Sequence, residues 1–448
     1  MPVPFMAHVY QNGLPAWFPD PWLLLKVSSA VSAVGLTKWY TSGRFCLSER
    51  NMHGRVVMLT GGTSGIGAAA AFELAKRGAQ LILLTHQPAS DPFLVEFIDD
   101  MRERTGNNMI YAEQVDLSSL HSIRLFATKW INNSPPRRLD MVILCAATLT
   151  PPGKPRTTTN EGNGGVETTW MVNYLANFHL LSILNPAIKA QPFDRDVRII
   201  MTTCSSYISA PPLEAVQGPD DSKGWSPSKA YARSKLALMT FGLAYQKHLD
   251  AYKRPDELPM NSKVIFVDPG YARTPGMTRW LTRGSIWGLF VYMFMYILSW
   301  LFLKSSAMGA QSILFAALDG SLGPGRGKGG ELIKECIKVD YARKDVHDDK
   351  IAQRLWESSD KLIERIEKEE AVKRARAKKE QEEREKEKKE KEKEKLEEIE
   401  SLVNSIKEGK KKEKEEAAQK GSSGSSNNGK SGQHKKGRYQ KPTGKPLR

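Results

Sequence analysis

Tyr231 and Lys235 stand four residues apart in the stretch SKAYARSKLALMTF. On a helix this spacing sets both side chains on one face. A phenol with a pKa near 10 is a poor acid–base group at neutral pH. An ammonium beside it favours the phenolate and lowers that pKa. Such a pair can exchange a proton with a substrate oxygen. A second group of chemical interest lies upstream, in GRVVMLTGGTSGIGAAAAFELAKRGAQLILL at 54 to 84. Gly61, Gly62, Gly65 and Gly67 directly follow the apolar run Val56 to Leu59, with Thr63, Ser64 and Ile66 completing the turn. Glycines at this spacing let the backbone turn tightly and let a diphosphate approach the amides at a helix N-terminus. The chemistry implied is a bound dinucleotide beside a proton-exchanging tyrosine, with Lys235 within reach of the nicotinamide ribose.

These residues need a scaffold. Val56 to Leu59 and Leu81 to Leu84 read as buried strands flanking a helix over Ala68 to Arg77, which makes one βαβ unit with a right-handed crossover. Leu139 to Cys145, Val197 to Thr203 and Lys263 to Val267 are further strand-like runs. Helical stretches over Glu167 to Ile188 and Ala230 to Leu249 separate them. That order predicts an α/β fold, a doubly wound parallel sheet of the Rossmann type.

Composition divides the 448 residues. Residues 361 to 448 hold 28 Lys and Arg against 19 Asp and Glu, a net of +9 out of +16, which leaves +7 for the first 360. The expected organisation is an N-terminal membrane-surface segment over 1 to 50 and a catalytic domain over 51 to 360 that carries a hydrophobic insert at 285 to 304. A charged helical or disordered segment over 361 to 420 and a flexible basic tail over 421 to 448 follow. Leu396, Ile399, Leu402, Val403 and Ile406 form a short apolar stripe in the charged segment, suited to a protein partner. The tip carries one aromatic, Tyr439, and no nucleic-acid module. Cys46, Cys145, Cys204 and Cys336 lie far apart, as buried thiols in a reducing compartment do, and no His/Cys cluster suggests a metal.

With these pieces in order, the chain resembles the short-chain dehydrogenase/reductase family, closest in style to its retinol dehydrogenase-like branch. The matching motifs are TGGTSGIG at 60 to 67, Asp116-Leu117 in VDLSSL, Asn173 in MVNYLANF, Tyr231 to Lys235, Pro269-Gly270 to Thr274, and LWESSDKL from Leu355. Together they cover about residues 54 to 365. The resemblance implies that Tyr231 exchanges the proton, that Lys235 tunes it and holds the ribose, and that Asn173 supports a water linking the lysine to solvent. It further places Asp116 at the adenine and the Pro269 to Thr274 loop at the nicotinamide end. A serine should bond the substrate oxygen. Here the register is open: Ser206 is preferred and Ser205 comes second, while a gapless alignment puts Cys204 at that place. A sharper departure is Leu144-Cys145-Ala146-Ala147, where the family has Asn-Asn-Ala-Gly. It keeps open a second reading, a non-catalytic adaptor docked on a membrane. After the second strand, His86 stands where an acidic residue would hold a ribose hydroxyl, so NADP(H) is favoured over NAD(H).

From Ile286 to Leu303 there is no charge. As one helix this stretch would extend about 27 Å. A single pass through a bilayer would separate Lys263 to Val267 from Glu331 to Val339, two segments expected in one sheet. The stretch must therefore re-enter, lie in the interface, or form a lid over the substrate. Trp17, Phe18 and Trp22 precede Leu23-Leu24-Leu25, a pattern suited to a surface-lying anchor. The expectation is a membrane-associated oxidoreductase facing the cytosol, at the endoplasmic reticulum or a lipid droplet, that acts on a small lipophilic substrate of retinoid, sterol or fatty aldehyde type.

Overall fold

The computed structural model describes Tyr10, Thr157 and residues 20–135, 137–151, 165–213, 225–282, 285–323 and 326–420. By contact the chain forms two units, Met1–Glu369 and Glu370–Arg448. The first contains an eight-stranded sheet in the order β3-β2-β1-β4-β5-β6-β7-β8. Its strands are β1 (Val56–Thr60), β2 (Gln80–Thr85), β3 (Ile110–Gln114), β4 (Met141–Leu144), β5 (Val197–Thr202), β6 (Ser262–Asp268), β7 (Glu331–Lys334) and β8 (Ile337–Val339). The first seven run parallel and β8 turns back antiparallel on β7. The segment Glu331 to Val339 is thus two strands rather than one. Glu335 and Cys336 between them both adopt positive φ, which closes the hairpin.

Successive strand residues feed opposite faces, as a sheet covered on both sides requires. Val56, Met58, Ile82 and Leu84 pack under α4 (Leu120–Ile131), α5 (Ala176–Lys189) and α6 (Pro227–Asp250). Val57, Leu59, Leu81 and Leu83 pack under α2 (Gly65–Lys76), α3 (Pro92–Thr105) and α10 (Ser306–Leu318). This is the doubly wound arrangement expected from the motif order. Strand β3 is poor in large apolar residues (IYAEQ) because it forms the sheet edge, and nothing in its pattern announces it.

Three further elements complete the described chain. The N-terminal segment forms α1 (Pro21–Ser42), capped by the Asp20 carboxylate accepting from Trp22 N, and none of its residues is buried. The insert is not one helix. It breaks at Met295 into α8 (Ile286–Phe294) and α9 (Tyr296–Phe302), reached through α7 (Pro275–Leu281). No helix among the described residues is long and apolar enough to cross a membrane. Finally, α11 (Asp349–Lys420) begins inside the first unit. Its Leu355, Ile363 and Ile366 are buried in the core, so the compact unit extends past the expected boundary at 360. In the second unit the stripe residues Leu396, Ile399, Leu402, Val403 and Ile406 are exposed on that helix. The expected flexible tail at 421 to 448 lies outside the described residues.

Candidate active site

The carboxyl ends of β1, β4, β5 and β6 converge on the glycine turn and on the first turns of α6. Helix α6 starts at Ser226, whose hydroxyl accepts from Lys229 N at 3.4 Å, with Pro227 in the first turn. Its opening turns bring Tyr231 and Lys235 to the end of β5. Lys235 is 2% exposed. Its Nζ donates to Thr202 O at 3.0 Å and lies 5.6 Å from the Tyr231 ring centre. Burial pulls the ammonium below its ordinary pKa, while the Cys204 and Cys145 thiols pull it back up. The phenol departs from the expectation. Burial holds Tyr231 well above its ordinary value, and Cys204, Cys145 and Asp268 reinforce that direction. Within the protein alone, desolvation outweighs the neighbouring lysine.

Cys204, Ser205 and Ser206 directly follow the end of β5. Cys204 is the side chain that bears on the phenol, by charge and hydrogen bond. Ser206 stands behind it, Oγ to Cys204 Sγ at 2.7 Å. Ser205 is turned to β6 and β7, donating to the Asp268 carboxylate at 2.5 Å and accepting from Lys334 Nζ at 2.9 Å. The preferred residues thus lie beside Cys204 at this strand end, Ser206 bonded to its thiol and Ser205 to Asp268. The Asp268, Ser205 and Lys334 cluster carried no sequence signal, since three separate strand ends supply it.

Asn173 is fully buried in a π-helical turn, Met171–Leu175, at the entrance to α5. Its amide accepts from Thr148 N at 2.7 Å and donates to Thr148 O at 3.0 Å and Ser234 Oγ at 3.1 Å. Ser234 Oγ in turn donates to Tyr231 O at 2.8 Å. Asn173 thus ties the loop after β4 to the tyrosine-bearing turn. The absent Asn-Asn-Ala-Gly side chains have a replacement. Thr60 Oγ1 accepts from Cys145 N at 3.1 Å and Ala146 N at 3.2 Å, and Thr202 Oγ1 donates to Leu144 O at 2.8 Å. Hydroxyls from the two neighbouring strands satisfy the end of β4.

The glycine turn fits a dinucleotide. Gly61 and Gly65 hold φ of +69° and +58°, which an L side chain rarely adopts. A Cβ on Gly67 would lie 2.1 Å from Gly61 O. Ser64 at the N-cap of α2 makes no capping bond, so its side chain leaves the first helical amides open to an anion. Ile66, next in the turn, packs near Gly309 of α10. Thr63 and Ser64 lie in the turn between β1 and α2.

The Pro269 to Thr274 loop closes on this turn: a Cβ on Gly65 would lie 3.2 Å from Thr274 Cγ2. Asp268 Oδ1 accepts from Gly270 N at 2.9 Å, and Thr274 Oγ1 caps α7 by accepting from Met277 N at 3.2 Å. At the other end of the crevice, Asp116 is held by Ser118, accepting from its N at 2.8 Å and its hydroxyl at 2.7 Å. Leu117 packs against the core, and His86 stands exposed just past β2. The structure brings Gly61 to Gly67, Asn173, Tyr231, Lys235 and the Pro269 to Thr274 loop to one end of the sheet. His86 and Asp116 follow the two outermost strands at that same end.

A family model for short chain dehydrogenase matches residues 55–282. The chain is a short-chain dehydrogenase/reductase. This family membership makes it a hydride-transfer oxidoreductase by kinship. The chain is 41% identical over 389 residues to the uncharacterized oxidoreductase pbr1 of Schizosaccharomyces pombe, covering 84% of this chain and 98% of that one. It is 30% identical over 349 residues to mouse retinol dehydrogenase 13, covering 76% and 94%. A solved Mycobacterium paratuberculosis protein of no stated function shares the fold, with a TM-score of 0.50 at 22% identity over 72% of this chain and 98% of that one. The likeness to retinol dehydrogenase 13 agrees with the branch that the dehydrogenase/reductase motifs suggested.

Proposed function

We propose that the protein is a membrane-associated, NADP(H)-dependent oxidoreductase acting on a carbonyl or alcohol of a lipophilic molecule. One observation carries this reading. The loop that touches the glycine turn at Gly65 is the same loop that roots the exposed apolar insert, through a bridge between Ala272 and Lys304. Arg273 N donates to Lys304 O at 2.8 Å and Lys304 N to Tyr271 O at 2.9 Å, so the insert leaves and returns at one point. A segment stapled at its base lies in or on one leaflet, and it presents its surface next to the cofactor cradle. The name of retinol dehydrogenase 13 supports a lipophilic alcohol as the substrate class. A membrane or lipid-droplet surface that faces the cytosol fits the free thiols.

When bound, the nicotinamide supplies or accepts the hydride. The chain's own residues do the rest. Tyr231 exchanges the proton at the substrate oxygen. Burial holds its phenol protonated, so in carbonyl reduction it is the proton donor to the substrate oxygen. Lys235 and Asn173 fix its orientation, and Cys204 is the side chain next to the reacting oxygen, with Ser206 behind it. His86, with no carboxylate beside it in the sequence, leaves room for a 2′-phosphate.

The test is NADPH oxidation by the purified full chain with retinal, long-chain aldehydes and ketones. Tyr231→Phe should lower turnover by about 10²–10⁴-fold with NADPH affinity nearly unchanged. Reduction of none of these substrates, or a Tyr231→Phe protein as active as wild type, refutes the reading.

A further inference from the structure

We propose that the face made by α1 and the α8–α9 hairpin docks on an anionic leaflet, and that the cavity at its base seats one lipid phosphate headgroup between Arg273 and Arg279. This rests on the membrane-docking reading above and adds to it a headgroup chemistry and a site.

The two apolar segments act as one body. Lys38 Nζ of α1 donates to Trp300 O at 2.6 Å and Leu303 O at 3.2 Å, and Thr41 Oγ1 donates to Leu301 O at 2.6 Å. The carbonyl end of α9 is thus capped by α1, with the ammonium at the negative end of the helix. Neither α1, α8 nor α9 buries a residue. Trp39 is 77% exposed, Trp287 80% and Phe294 91%. Contiguous apolar surface on this scale marks an interaction site.

Charge identifies the partner. Residues 21 to 48 and 269 to 318 contain Lys26, Lys38, Arg44, Arg273, Arg279, Arg283 and Lys304, and no Asp or Glu. Those seven cations equal the whole +7 excess of the first 360 residues, so the rest of that part is neutral. Lys304 is answered by Glu335 across the staple. Lys26, Lys38, Arg44, Arg273 and Arg279 flank an apolar face that carries no carboxylate of its own, which suits anionic lipid and opposes a basic protein surface.

The cavity, about 540 Å³, lies between α7 and the insert. Its lining includes Arg273, Thr274, Thr278, Arg279, Thr282 and Tyr292, with no acidic side chain. Arg273 Nε is buried without a partner, and its Nη1 reaches only as far as Tyr296 OH at 3.4 Å. Two guanidiniums and threonine hydroxyls in one wall match the oxygens of a phosphate, which guanidinium binds in a bidentate fork.

The experiment is flotation of the full-length protein with vesicles of phosphatidylcholine alone and of phosphatidylcholine containing phosphatidic acid. Phosphatidic acid should strengthen binding by at least about 30-fold, and the gain should fall with salt. Arg273→Gln with Arg279→Gln should cut that gain by roughly 30-fold, about fivefold per cation, while binding to phosphatidylcholine stays. Lys26→Gln with Arg44→Gln removes the same charge outside the cavity and should cost clearly less. Arg273→Lys with Arg279→Lys guards against misfolding, because it should keep most of the salt-dependent gain. Equal wild-type binding to both vesicles overturns the anionic preference and leaves membrane docking standing. Equal loss in the two Gln pairs overturns the cavity. Binding to neither vesicle overturns the membrane reading and this proposal together.

Discussion

Replacing Lys235 by Met should stabilise the fold and destroy the activity. Lys235 is 2% exposed, and its ammonium makes one hydrogen bond among the described residues, to Thr202 O, although it carries three donors. Burial lowers its pKa, and the groups that oppose this are the thiols Cys204 and Cys145 rather than a carboxylate. An unsatisfied buried donor costs about 1–3 kcal/mol, and the bond to Thr202 returns about 1 kcal/mol. Met fills a similar volume without a charge. The net gain is up to about 2 kcal/mol, and at about 2–4 °C per kcal/mol for a domain of this order of size the melting temperature should rise by up to roughly 8 °C. The assay is thermal melting of the full chain with and without NADPH. Wild type should gain about 2.7 kcal/mol from cofactor at 100 times its dissociation constant. The variant should gain less, because the ribose contact is lost, so the two melting curves cross over as cofactor is added. Turnover should fall by about 10²–10⁴-fold. A Met variant that melts below wild type without cofactor refutes the claim that this charge is held against the fold's own interest.

His86→Asp should move preference toward NADH by about tenfold, ~1.4 kcal/mol, since the new carboxylate repels a 2′-phosphate; calorimetric titration with both cofactors reads this directly. Gly67→Ala should weaken NADPH binding and lower stability, reversing the gain of roughly 0.5–1 kcal/mol usual for Gly to Ala in a helix, because the new Cβ meets Gly61 O at 2.1 Å. Gly35→Ala in α1, with nothing within 4 Å, is the control and should lose nothing in the same melts. His179 is pushed down to about 4 by burial and by the Arg124 guanidinium. Glu367 Oε1 lies 3.4 Å away but is already paired with Arg124, so the imidazole stays neutral. The folded pKa lies below the unfolded one, so this contribution is whole above about pH 6.5 and is lost as pH falls toward 4, roughly 3 kcal/mol in all. His179→Gln should flatten stability against pH in that window, and an unchanged slope in denaturant titrations would exclude the mechanism.

Much of this chain was legible before any fold was known. Glycine spacing between two apolar runs specified a βαβ unit because few other sequences satisfy a tight turn, an open helix start and a buried strand together. The Tyr231 and Lys235 spacing specified a shared helix face by the helical repeat alone. The chargeless run from Ile286 and the flanks' expected place in one sheet required both ends of the insert to lie on one side, as the Ala272–Lys304 staple shows. Tertiary structure decided what depends on neighbours from distant parts of the chain. Desolvation by the folded core set the direction of the Tyr231 shift, and no local pattern encodes burial. The turn after β5 brought Ser206 onto the Cys204 thiol and Ser205 onto Asp268 and Lys334, partners that come from separate strand ends. Thr60 and Thr202 could be known to brace the end of β4 only once the strand order 1-4-5 was known. The capping of α9 by Lys38 joins residues some 260 apart in sequence, a separation that no periodicity can reach.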